Sequence, residues 1–73
     1  MRKTMTPLDF SRAAYILFNS ENVEQIKIGR KMNRVLMRVS RLEPKRVTIS
    51  GTPREISIVS DTLRKVKSMP KYW

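Results

Sequence analysis

Residues Lys45–Met69 read KRVTISGTPREISIVSDTLRKVKSM and contain the clearest strand-to-helix unit of the chain. Val47 and Ile49 alternate with polar residues, which is the period of a half-buried strand built from β-branched side chains. The following Gly51–Glu55 segment predicts a helix start, because threonine, proline and glutamate occupy the cap, first and third helical positions. An apolar stripe at helical spacing comes next, formed by Ile56, Val59, Leu63 and Val66. The rest of the chain must therefore supply packing partners for one strand and one helix.

A second capping sequence, Thr6-Pro7-Leu8-Asp9, lies near the start of the chain. Apolar residues recur behind it at helical spacing, so we expect a helix over Pro7–Phe18. Tyr15 and Ile16 widen its apolar face beyond one stripe. This width indicates either deep packing or a contact with a protein partner through Tyr15, Ile16 and Phe18.

The segment Asn22–Gly29 has two interpretations. Ile26 and Ile28 alternate with polar residues as in a strand, whereas Val23 and Ile26 lie one helical turn apart. We expect a strand, because the strand near Arg46–Ser50 needs a partner for its backbone donors and acceptors.

From Arg30 to Leu42 the helical period returns, and Glu43-Pro44 ends it. The predicted order is helix-strand-helix-strand-helix, which is a small single α+β domain with a short two-stranded sheet. We assign this domain to residues 6–69, between a disordered basic tail over residues 1–5 and a basic, aromatic tail over residues 70–73. A core of this size is marginal, so a homodimer that completes it is an open alternative.

The composition is strongly basic, with 16 Lys and Arg against 6 Asp and Glu and a net charge of +10. Such a balance favours a polyanionic partner, most often nucleic acid. The chain has no histidine and no cysteine, and its carboxylates show no paired spacing, so we expect no enzyme activity, no metal and no cofactor. With no apolar run of membrane-spanning length and no signal-peptide core, we expect a cytoplasmic protein.

The basic side of the predicted Arg30–Leu42 helix is the best functional clue. Its five cations have no acidic residue four positions away, and arginine, which predominates, has a planar fork that matches phosphate groups. We predict binding of nucleic-acid phosphates, with single strands or RNA favoured over duplex, by Lys27, Arg30, Lys31, Arg34, Arg38, Arg41, Lys45 and Arg46. The alternative interpretation is that these cations only keep this side of the helix in contact with water and bind no partner.

The sequence Ile28-Gly29-Arg30-Lys31-Met32 resembles the loop of a KH (K-homology) domain, in which Ile-Gly-x-x-Gly clamps the nucleic-acid backbone. Met32 replaces the second glycine, and Arg38 stands at a position that is apolar in that family. Val47–Pro53 and the helix after it resemble the closing strand and helix of the same family, so the likeness covers about half of the chain. The resemblance implies nucleic-acid binding, with Gly29 at a helix start where backbone amides cradle a phosphate.

Two other functions remain open. Glu21–Ser40, with Gly29 at the turn, is the segment that would form a DNA-binding helix-turn-helix. Alternatively, a small non-enzymatic basic protein with surplus apolar residues suits a regulator that docks on an acidic surface of a nucleic-acid-handling enzyme such as a polymerase.

Overall fold

The computed structural model describes residues 1–68, and its fold belongs to the expected α+β class, with three helices and a two-stranded antiparallel sheet. The elements in chain order are β1 (Arg2–Met5), α1 (Pro7–Phe18), α2 (Val23–Val39), a 3₁₀ helix (Ser40–Leu42), β2 (Val47–Ser50) and α3 (Pro53–Lys67). The predicted tail over residues 70–73 lies outside the described residues.

The two helices that begin at capping sequences, α1 and α3, and the alternating strand β2 form as predicted. Thr6 caps α1, its hydroxyl oxygen accepting from the Asp9 amide at 3.2 Å. Thr52 caps α3 in a complete capping box, in which the Glu55 carboxylate also accepts from the Thr52 amide at 2.9 Å. β2 alternates buried and exposed residues as expected. Because these signals act over three or four residues, they need no tertiary information.

The first five residues are not a disordered tail, and that prediction was wrong. Residues Arg2–Met5 form β1, which pairs antiparallel with β2, Arg2 lying opposite Ser50 and Met5 opposite Val47. Met5 is buried in the core. The requirement that β2 have a ladder partner was correct, but the partner comes from the start of the chain.

The strand expected over Asn22–Gly29 was also wrong, because this segment is the first half of α2. The Asn22 side chain caps the helix by accepting from the Glu24 and Gln25 amides at 2.9 and 3.2 Å. Ile28 is buried one helical turn before Met32. The cap and the helical spacing of buried residues therefore determine the structure here, and not the short alternation of apolar and polar residues. The element order is therefore strand-helix-helix-strand-helix.

The core is formed by the inward sides of all three helices and the sheet. Its largest fully buried side chains are Phe10, Leu17, Met32 and Val59. α2 crosses the end of α1 at Gly29, where a Cβ atom would lie 2.5 Å from the backbone nitrogen of Phe18. After Val39 the helix tightens to the 3₁₀ form, and Leu42 ends 77% exposed. The outer side of α2 is left facing solvent.

Candidate nucleic-acid interface

Five cations project from the outer side of α2 and the 3₁₀ helix that follows it. All are exposed, and they lie on the side of the helix opposite the buried Ile28 and Met32. At 1.5 Å per residue they extend over about 20 Å. We call this surface the α2 basic face; it consists of Lys27, Arg30, Arg34, Arg38 and Arg41.

The cations of the α2 basic face make no ion pair with any carboxylate in residues 1–68. The three ion pairs in that part of the chain join Lys31 to Glu55, Arg54 to Glu24 and Arg64 to Asp61. Like charges at i, i+4, such as Arg30, Arg34 and Arg38, repel one another along a helix. The free protein therefore carries a concentrated positive charge that a bound polyanion would neutralise.

Lys31, which was predicted to share this face, lies at its edge. Its ammonium group is 3.7 Å from a carboxylate oxygen of Glu55, and its side chain is 43% exposed. The same ammonium lies close to Gly51 in the connection between β2 and α3. Lys31 therefore joins α2 to α3 instead of standing with the unpaired cations.

The C-terminal end of the α2 basic face forms a shallow open groove lined by Arg34, Met37, Arg38 and Arg41. Met37, which shares this groove with the three arginines, is 75% exposed. Since the methionine side chain is flexible and polarizable, it can adapt to a sugar or base placed between phosphate contacts. The groove therefore combines three arginine side chains with one exposed, adaptable apolar side chain.

The other two predicted site residues, Lys45 and Arg46, belong to a different segment. Both are exposed and lie between the 3₁₀ helix and β2. Arg46 directly precedes β2, at the end of the sheet where Val47 pairs with Met5.

Gly29 does not form the predicted phosphate cradle, and no turn occurs there. It is an interior residue of the continuous helix α2, so its amide belongs to the helical hydrogen-bond series and not to an open helix start. The loop implied by the KH resemblance and the turn of the predicted helix-turn-helix are both replaced by helix. Close packing on Phe18 explains this glycine instead.

The residues predicted to contact a protein partner are only partly available for contact. Tyr15 is 59% and Phe18 44% exposed, whereas Ile16 packs against the core. Leu8, on the same outer side of α1, is also exposed. The apolar surface of α1 therefore consists of Leu8, Tyr15 and Phe18.

Two carboxylates, those of Glu24 and Glu55, form ion pairs that join α2 to α3. Two hydrogen bonds from the Arg54 guanidinium, at 2.7 and 2.9 Å, lower the pKa of Glu24 below its ordinary value. The backbone amide of Thr52, with help from the nearby Lys31 ammonium, lowers the pKa of Glu55. Both groups therefore stay ionised near neutrality and are bound to other partners than the α2 basic face.

The structure also reveals a polar surface that the sequence reasoning missed, on the outer side of the sheet. It could not be found while residues 1–5 were interpreted as a tail. The signal was the alternation of Thr4 with buried Met5, matching Thr48 and Val47 in the partner strand.

Comparisons of the chain with protein-family models, with curated proteins and with solved structures found no match. The resemblance to a KH domain therefore stays a prediction. None of the helices within residues 1–68 is both long and apolar enough to cross a membrane. In the same range, no group of three or more acidic side chains is arranged to hold a metal ion.

Proposed function

We propose that this protein binds nucleic acid through the α2 basic face and contacts mainly phosphate groups. The observation that carries the proposal is the set of exposed cations on one side of a helix, with no carboxylate partner in the described chain. Arginine supplies bidentate contacts to phosphate oxygens, and the clustered charge attracts the polyanion from a distance.

The chemistry of the face supports phosphate contacts more than base stacking. Single-stranded nucleic acid is commonly held on exposed aromatic side chains. The described aromatic residues that are exposed, Tyr15 and Phe18, belong to α1. The preference for single strands or RNA that was expected from the sequence is therefore not part of this proposal, and the titration below compares the three kinds of nucleic acid.

Fluorescence-anisotropy titrations test the proposal. They use single-stranded RNA, single-stranded DNA and duplex DNA, each at about 50 and 200 mM salt. We expect affinity to fall steeply with salt, because each phosphate neutralised releases counterions. Arg34→Gln/Arg38→Gln should weaken binding by about tenfold or more and reduce the logarithmic salt slope by about 2.

The matched control is Lys65→Gln/Lys67→Gln, which removes the same charge from the exposed end of α3. If the two double variants lose affinity equally, net charge and not the α2 basic face governs binding. If the folded wild-type protein binds none of the three nucleic acids, the proposal fails.

The exposed apolar residues of α1 favour the regulatory protein as the second candidate. In this function Leu8, Tyr15 and Phe18 contact the partner, while the basic face steers the protein toward an acidic surface. A stoichiometric partner that survives nuclease treatment and is lost with Tyr15→Ser/Phe18→Ser would support it. Retention of that partner by the variant would exclude α1 as the contact.

A further inference from the structure

The outer side of the sheet carries polar groups on two adjacent strands. Met5, Val47 and Ile49 point into the core, so the alternate residues of both strands point to solvent. The exposed residues of the two strands are Arg2, Thr4, Thr48 and Ser50, and Arg46, directly before β2, is also exposed. We call this surface the ribbon face.

The middle of the ribbon face is a pair of hydroxyl groups held in place by the strand register. Thr4 lies opposite Thr48, and their Oγ1 atoms are 2.8 Å apart. The Gly51 amide donates to the Met1 carbonyl at 3.0 Å, so by alternation Thr4 and Thr48 are a non-hydrogen-bonded pair, in which side chains approach most closely. Each hydroxyl uses only part of its capacity in this contact, and the pair can still donate and accept.

The two ends of the ribbon face carry cations. Arg2 lies opposite Ser50 at one end, and Arg46 precedes β2 at the other. None of the five residues of the face is acidic, and neither arginine has an ion pair among those formed in residues 1–68. The surface thus presents guanidinium, hydroxyl and guanidinium groups over about 13 Å of strand, and its charge suits a polyanion.

The dimensions and donors of the ribbon face match the major groove of duplex DNA. That groove is about 12 Å wide and admits a two-stranded β-ribbon, and the buried side of this ribbon fixes it on the core. Arginine donates to guanine N7 and O6, and serine or threonine bonds with either kind of base edge. A-form RNA has a deep, narrow major groove that side chains do not read.

We propose that the ribbon face enters the major groove of duplex DNA and contacts base edges, with the Thr4–Thr48 hydroxyl pair at its centre. This inference rests on the proposed nucleic-acid binding and adds to it a substrate class, duplex DNA, and a second contact surface. The ribbon face supplies discrimination between base pairs, which phosphate contacts alone do not provide.

Selection of bound duplexes from a random-sequence DNA pool, followed by methylation interference on one selected duplex of known sequence, tests the proposal with the full chain. Dimethyl sulfate methylates guanine N7, which lies in the major groove, and the bound and free pools are then compared. We expect N7-methylated guanines to be depleted several-fold from the bound pool at defined positions. Binding to duplex RNA of matched length should be at least tenfold weaker than binding to the DNA.

Thr4→Val/Thr48→Val removes both hydroxyls and keeps the branched shape that suits a strand. We expect it to lower the affinity for the selected duplexes about tenfold and to leave the salt slope unchanged, because no phosphate contact is lost. Arg2→Gln/Arg46→Gln, a second variant of the same face, should abolish interference at guanine. Lys65→Gln/Lys67→Gln, on α3, should leave the interference pattern unchanged, and thermal melting checks that each variant is folded.

The result separates the two proposals. The ribbon inference is overturned by any of three results: salt-dependent binding without N7 interference, unchanged DNA-sequence selectivity in both ribbon-face variants, or equal affinity for duplex RNA. Each of these results leaves the proposal for the α2 basic face in place. Absence of binding to any nucleic acid overturns the proposed function and the inference together.

Discussion

Gly29 occupies the interior of α2, where glycine is ordinarily less favourable than alanine by about 1 kcal/mol. The contact with α1 explains why glycine occupies this position, since a Cβ atom here would lie within 3 Å of backbone atoms of Leu17 and Phe18. Backbone atoms cannot move aside as the end of a flexible side chain can. The residue therefore allows α1 and α2 to approach closely.

We predict that Gly29→Ala lowers the free energy of unfolding by about 1–3 kcal/mol, because overpacking outweighs the gain in helix propensity. Urea unfolding followed by circular dichroism measures it. Lys27→Ala, on the exposed side of the same helix, should change stability by no more than about 0.5 kcal/mol. A Gly29→Ala protein as stable as the wild type would mean that the two helices do not approach this closely.

The same residue shows why part of the site was mispredicted. A glycine followed by two basic residues, as in Gly29-Arg30-Lys31, was interpreted as a turn before a helix, but the contact that explains this glycine comes from Phe18, eleven positions earlier. Lys31 is a similar case, since its partner Glu55 is distant in sequence. The arginines of the α2 basic face were predictable because their exposure depends only on the helical period of the Arg30–Leu42 segment.

Two ion pairs connect the first half of α2 with the start of α3. Glu24 in α2 accepts both hydrogen bonds from Arg54, and Lys31 in α2 lies beside Glu55. Since the pKa of each glutamate is lowered in the folded state, each contributes stability that is fully present above the ordinary pKa. That stability is lost as the pH falls below about 4.5 and through the folded-state values.

We predict that the melting temperature decreases as the pH is lowered from 7 to about 3, and that Glu24→Gln/Glu55→Gln shows a smaller decrease. At pH 7 the variant should be the less stable protein. Thermal melts at several pH values measure both effects. Glu21→Gln, which changes an exposed glutamate outside these pairs, is the control and should follow the wild-type profile; equal acid sensitivity of all three proteins would contradict the prediction.

The elements that were predicted correctly, α1, α3 and β2, are those whose formation depends on residues close together in the sequence. α1 and α3 have capping residues at their first turns, and β2 has a clear alternation. β1 has a single buried apolar residue, Met5, and it is recognisable only once its pairing with β2 is known. The wrong strand over Asn22–Gly29 followed from this omission, because β2 was left without its true partner.

Over the whole molecule, the net charge of +10 is spread over a body of 31 × 28 × 18 Å. At about 0.01 M salt the screening length is about 30 Å, so the cations repel one another across the entire protein. At about 0.1 M it is about 10 Å, and only neighbouring charges interact. The side chains of the ion pairs in residues 1–68 are about one third or more exposed, and pairs of this kind contribute only modestly to stability.

We therefore predict that the melting temperature rises when salt is increased from about 0.01 to 0.1 M, because relief of repulsion outweighs weakening of the ion pairs. Arg34→Gln/Arg38→Gln should melt at a higher temperature than the wild type at low salt and gain less from added salt. Scanning calorimetry in sodium chloride measures this. A melting temperature that falls with salt would show that the ion pairs dominate.

The pairing of β1 with β2 also has a consequence for the order of events during protein synthesis. Thr4 and Thr48 are neighbours in the sheet but 44 residues apart in the chain. On the ribosome, the segment that becomes β1 is made before the other described elements and has no partner until β2 has been made. Because α1 and α2 are completed in the interval, they can associate first, and the sheet closes only after Ser50, the last residue of β2, has left the exit tunnel.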